Sequence, residues 1–118
     1  MIEETVLNYM KGELDVPVML MYPEIPSEDY PVKPERFVVL EKVGAARTNH
    51  ANTASIAFKS YGPSILAAAA LDEEVRETVE KMTEISEVAG VRMTSNYNFT
   101  DTRAHQPRYQ CVWDIYYV

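Results

Sequence analysis

Glycine is scarce in this chain, with four among 118 residues at Gly12, Gly44, Gly62 and Gly90. Glycines so scattered cannot form the glycine-rich cradle that binds phosphates, which removes the nucleotide-binding loops. Cysteine is scarcer still. Cys111 stands alone, so no intrachain disulfide can form, and a reducing compartment is expected. Its place in a strand-like run points to a buried, inert thiol rather than a nucleophile. Long apolar runs are missing as well: the stretch from Ile65 to Leu71 falls far short of the roughly 20 residues that cross a bilayer. Positive charge is in the minority, with 11 Lys and Arg against 18 Asp and Glu and a net charge of -7. An acidic surface repels nucleic acid, so no specific nucleic-acid binding is expected, although the same charge also serves solubility. The opening residues Met1 to Leu14 are acidic and amphipathic, without the basic-then-apolar order of a secretory leader. Synthesis in the cytoplasm is the expectation.

What remains is an ordinary globular composition, 47% hydrophobic and 25% charged, in a length that suits one domain with its own core. Ile2, Val6, Met10 and Leu14 recur at helical spacing, with Glu3 and Glu4 at the positive end of the dipole, and predict a helix over 2–14. Val18 to Tyr22 reads as a short strand. Pro23, Pro26, Pro31 and Pro34 then interrupt any regular structure up to Glu35. Loops of that length in compact domains are often functional. Phe37 to Val43 reads as a strand, Gly44 to Asn52 as a turn or a longer hairpin arm, and Thr53 to Tyr61 as the returning strand. Gly62-Pro63 marks a helix start, with Pro63 suited to the first turn. Alanine-rich helix follows, and Asp72 is read as the cap of a second segment that carries Val75, Val79, Met82 and Ile85. One bent helix and two helices fit equally well. Gly90 is read as the C-cap. Strands are predicted over 91–99 and 108–117, joined by the polar turn Thr100 to Pro107. The expected fold is α+β: an antiparallel sheet of about four to five strands with two main helices on one face, in the order α-β-β-β-α-β-β.

Candidate chemistry is thin. His50 and His105 lie in separate polar loops and read as surface residues, and no Cys/His spacing suits zinc. Ser60, His50 and Asp114 form a hydrolytic triad only on paper, and no spacing makes Asp101, Asp114 and Glu41 a magnesium site. Glu73, Glu74, Glu77 and Glu80 read as the solvated face of a helix. No catalytic residue, metal or cofactor is expected. The aromatics are more telling. Eight tyrosines and Trp113 crowd toward strands and turns, which fits either sheet core or interface.

Two stretches carry a resemblance. Glu41-Lys42-Val43-Gly44-Ala45-Ala46-Arg47-Thr48-Asn49-His50 precedes Thr53-Ala54-Ser55-Ile56-Ala57-Phe58-Lys59-Ser60-Tyr61. Later, Asn96-Tyr97-Asn98-Phe99-Thr100-Asp101-Thr102 precedes Arg108-Tyr109-Gln110-Cys111-Val112-Trp113-Asp114-Ile115. Over about residues 35 to 118 the chain resembles a family of small tail proteins from siphophages and prophages of Gram-positive bacteria, known as tail completion, tail terminator, head–tail joining or minor capsid proteins. Gly44-Ala45-Ala46 stands where a more glycine-rich turn is expected of the family. The resemblance implies a non-enzymatic α+β subunit, one tail-completion-like domain over 1–118, forming a ring, commonly six-fold, at the head-proximal end of the tail tube. Its implied partners are further copies of itself, the tail tube protein and the head–tail connector protein. No membrane is implied, and DNA passes through the ring without being read. The implied location is the host cytoplasm during assembly and then the virion tail. The candidate interface residues are Tyr22 and Tyr30 around the proline-rich loop, Arg47, Asn49 and His50 in the middle hairpin, and Arg103 and Arg108 near the last one. A head-completion or neck protein of the same pathway, and an unrelated ligand-binding or regulatory domain, are the alternatives.

Overall fold

The computed structural model describes residues 1–48 and 51–118. Its elements are α1 (Ile2–Glu13), β1 (Val18–Met19), β2 (Phe37–Thr48), β3 (Ala51–Tyr61), α2 (Ile65–Glu80), β4 (Val88–Asn98) and β5 (Arg108–Tyr117), with a 3-10 turn over Lys81–Glu84 after α2. The strands form one five-stranded sheet in the order β1-β2-β3-β5-β4. The fold is α+β in the expected element order, with both helices against the sheet. The ladders are antiparallel apart from one: β1 runs parallel to β2. The expected strand over 18–22 shrinks to Val18–Met19, because the backbone leaves the sheet and Tyr22 turns onto other aromatics. The hairpin, in contrast, is the longer of the two forms expected: β2 extends through Gly44 to Thr48 and pairs with β3 down to Ala51.

The core lies between the sheet and the helices. Val38 and Leu40 of β2, Ala54, Ile56 and Phe58 of β3, and Cys111, Trp113 and Ile115 of β5 point to one face. This alternation is what period-2 side-chain geometry requires of a half-covered sheet. Onto that face α1 lays Ile2, Val6 and Met10, and α2 lays Leu71, Val75 and Val79. The two helices meet where the Tyr9 hydroxyl donates to the Thr78 carbonyl at 3.0 Å.

α2 is one continuous helix, so Asp72 caps nothing. The N-cap is Ser64, whose hydroxyl accepts from the Ala67 amide at 3.1 Å, and Pro63 lies just before it. Gly62 is needed at this corner, since a Cβ there would stand 2.8 Å from the Ala68 nitrogen. Asp72 falls on the apolar stripe between Ala68, Leu71 and Val75 and is 1% exposed. A carboxylate so placed must be paired. Arg76 Nε donates to its Oδ2 at 3.0 Å and Asn96 Nδ2 donates to the same oxygen at 2.8 Å. This last bond ties α2 to β4. Gly90 is no helix cap either. The helix has already passed into the 3-10 turn, and Gly90 lies in β4 opposite Tyr116.

Removing the Asp72 carboxylate leaves Arg76 Nε without its acceptor and the Asn96 amide with the Gln110 carbonyl, at 3.3 Å, as its remaining partner. Asp72→Ala is expected to lower stability by about 2 kcal/mol, and Asp72→Asn by less, as read by urea unfolding. Equal losses in both variants would show that the buried bonds are not what holds β4 to α2.

Candidate functional site

The face of the sheet away from the helices is only partly covered, and side chains of several strands meet on it. At one end an aromatic cluster forms. Phe37 of β2 and Tyr61 of β3 are paired across the ladder and stack with centroids 4.5 Å apart, 5° from parallel. Tyr22 closes the cluster edge-on, 5.7 Å from Phe37 and 5.6 Å from Tyr61. The proline-rich loop is thereby pinned across the sheet. Gln106 of the 101–106 turn donates to the Tyr22 hydroxyl at 2.7 Å, and Lys33 lies 5.9 Å over its ring. Two segments far apart in sequence, the proline-rich loop and the last turn, thus converge on one end of the sheet.

Arg108 sits at the same end. Its Nε donates to the Phe99 carbonyl at 2.6 Å, and its guanidinium lies 4.4 Å over the Phe99 ring and 6.0 Å from the Tyr61 ring. These contacts, with the edge-on Tyr97–Phe99 pair at 5.6 Å, hold the last hairpin together, a role that fits the aromatic cross-strand pairs of a sheet.

Further along the open face the rows are polar. Glu41 accepts from Lys59 at 2.6 Å. Gln110 donates to the Tyr97 hydroxyl. Asp114 accepts from the Ser55 hydroxyl at 2.6 Å and from Arg92 at 3.1 Å. The Ser55 hydrogen bond, with Arg92 adding to it, holds the Asp114 carboxyl below its ordinary value. These pairs take the carboxylates that a catalytic reading would need. Asp114 answers to Ser55 and Arg92, Glu41 answers to Lys59, and Asp101 accepts from the Arg103 and Ala104 amides of its own turn. Ser60 is fully buried and shares the helix-covered side with Phe58, whereas Asp114 lies on the other side. The two cannot act together. Cys111 is buried as well; burial first, and then the Asp72 charge, push its thiol up to about 12. No group of His, Cys, Asp and Glu among the described residues is arranged to hold a metal ion.

The candidate interface residues therefore divide. Tyr22 and Arg108 meet at the aromatic end, and Arg103 is exposed in the 101–106 turn, whose Gln106 reaches Tyr22. Tyr30 is in the loop beside them, half-buried, with its amide donating to the Ser27 hydroxyl at 3.0 Å. Arg47 is exposed near the far end of β2, one row before its last pair, in register with Asn52 and Tyr117. Asn49 and His50 lie outside the described residues. Sequence reasoning missed Gln106 as the partner of Tyr22, and nothing in the local sequence marks it, since the contact spans 84 positions. No family model matches the chain, and no curated protein matches it. No helix among the described residues is long and apolar enough to cross a membrane.

If Tyr22 pins the loop, Tyr22→Ala costs about 1 kcal/mol and speeds amide exchange at Ser27 and Tyr30, while Tyr22→Phe keeps the ring contacts and changes exchange little. Exchange rates followed by NMR check both. The Asp114 carboxyl gives a pH signature. Its depressed value in the folded state means that its contribution to stability is present above the unfolded value of about 3.9 and is lost as pH falls through the folded value. Asp114→Asn is thus expected to be less stable than the wild type at pH 7, with the difference fading as the pH falls below the ordinary carboxylate range and the folded-state carboxyl takes up its proton, as read in denaturant titrations.

Proposed function

We propose that this chain is a structural subunit of a phage or prophage tail, a ring-forming protein that ends the tail tube and joins it to the head connector. The observation that carries the reading is the placement of the two resembling stretches. The first folds as the β2–β3 hairpin and the second as the closing β4–β5 hairpin, and they lie side by side through the β3–β5 ladder. The stretches that bear the family resemblance thus form a single contiguous sheet rather than separate surfaces. The ordered proline-rich loop and the last turn stand together at one end of that sheet, as contact elements of an assembly protein would. Such a subunit acts by recognition and not by turnover. Its partners in this reading are further copies of the chain, the tail tube protein and the connector, with DNA passing through the ring. It is made in the host cytoplasm and ends in the virion, at the head-proximal end of the tail.

Purified chain mixed with tail tubes assembled without it, and imaged by negative-stain electron microscopy, tests the proposal. A ring at one end of each tube, and tubes that stop lengthening, are the expected results. Binding to filled heads with no binding to tubes would move the protein to the neck, and binding to neither would sink the reading.

A further inference from the structure

The sheet has two bare borders. β1 covers only Val38 and Val39 of β2, so the outer side of β2 from Leu40 to Thr48 has no strand partner among the described residues. At the other border β4 pairs, among the described residues, only with β5. β2 is antiparallel to β3, β3 to β5, and β5 to β4, so β4 runs opposite to β2. Two copies in the same orientation therefore bring β4 of one against β2 of the next, and the antiparallel alternation continues across the junction. The levels also agree. One row runs Gly44, Ser55, Asp114, Arg92, and the next runs Ala45, Ala54, Ile115, Val91. Register shifts at Val88/Gly90 and Met93/Ser95 bound a regular segment of β4, and a shift at Lys42/Gly44 begins one in β2. Bulges of this kind restrict edge pairing to short windows. The β2 window is Gly44-Ala45-Ala46, whose small side chains let another strand approach.

Charge decides which border meets which. Lys42 is opposite Ile56, and Arg47 opposite Asn52, on the side that the helices cover. That side of the β2 border thus carries two cations, Arg47, which is exposed, and Lys42, which pairs with Glu3 of α1 at 3.4 Å. On the same side of the β4 border, Glu73, Glu77 and Glu80 of α2 line a shallow groove with Arg76, Met93 and Trp113. β2 against β2 would set cation against cation, and β4 against β4 would set carboxylate against carboxylate. Only the mixed pairing joins opposite charges. Each border also carries an apolar side chain open to water, Val43 at 54% and Met93 at 42% exposure.

We propose that a second copy of this chain docks its β2 border on the β4 border, with Lys42 and Arg47 facing Glu73, Glu77 and Glu80. The contact joins two different patches, so its repetition closes a ring or grows a filament. The inference rests on the ring-subunit reading for what the contact builds, but not for where the contact lies.

The test uses the full chain in two charge-reversed forms, Lys42→Glu with Arg47→Glu, and Glu77→Lys with Glu80→Lys. Circular dichroism confirms that both fold, and Arg47→Glu alone serves if the first double variant does not. Sedimentation velocity is run on each form alone, on their equimolar mixture and on the wild type, free and with tail tubes. The expected result is association of the wild type, loss of association in each reversed form, and recovery in the mixture. Wild-type protein monomeric in both settings, reversed forms that associate like the wild type, or a mixture that does not recover would overturn the proposal. Reversible association with no affinity for tubes would keep the contact and remove the tail reading. Tube binding by both reversed forms alike would do the opposite.

Discussion

The β3–β5 ladder is the pairing on which the rest of this molecule depends. β2 with β3, and β4 with β5, are pairings of chain neighbours that any pair of adjacent strands can attempt. Joining the two requires β3 to find β5 across the whole of α2 and β4, and the register then matches residue for residue from Asn52–Tyr117 to Tyr61–Arg108. That ladder places Ile56 beside Trp113 and Phe58 beside Cys111, which makes the apolar platform on which both helices rest. It also brings the aromatic end into being, because Tyr61 and Arg108 are the last pair of the same ladder.

The helices in turn fix the order of the strands. α2 starts at the end of β3 under the constraint of Gly62 and crosses back to deliver β4 to the border. β5 then returns between β3 and β4, a position that buries apolar side chains on one face and leaves polar pairs on the other. Asp72 adds direction to this packing. A carboxylate on an otherwise apolar stripe is tolerated only where its donors wait, so it admits the arrangement that puts Asn96 over it.

Much of this was legible in the sequence, for identifiable reasons. The strands announced themselves by alternation in 91–99 and 108–117, and the first helix by the spacing of Ile2, Val6 and Met10, because these patterns answer to burial on one side. The errors fall where a local signal was outvoted by a distant contact. Asp72 followed by glutamates looks like a helix start, yet the stripe of Ala68, Leu71, Val75 and Val79 runs straight through it, and the position of Asp72 on that stripe was the available clue. Gly90 looks like a helix stop, but the chain already pairs with β5 from Val88. Tyr22 looks like strand because its neighbours are apolar, while its ring is held by Phe37 and Tyr61. Of the candidate interface residues, Arg108 carries contacts within its own hairpin, and charge alone could not distinguish an internal clamp from an exposed one.

The interior place of β5 has a consequence for the order of events during synthesis. β5 follows the other four strands described, yet it lies inside the sheet, between β3 and β4. Until it leaves the ribosome, the β2–β3 hairpin waits with its inner edge open, and α2 has no complete platform to land on. The chain must therefore pass through a stage in which an apolar strand edge is accessible to other chains, a condition that slows folding and invites aggregation. Lys59 lies within that waiting edge, between Phe58 and Ser60, and a charge in such a strand discourages premature pairing.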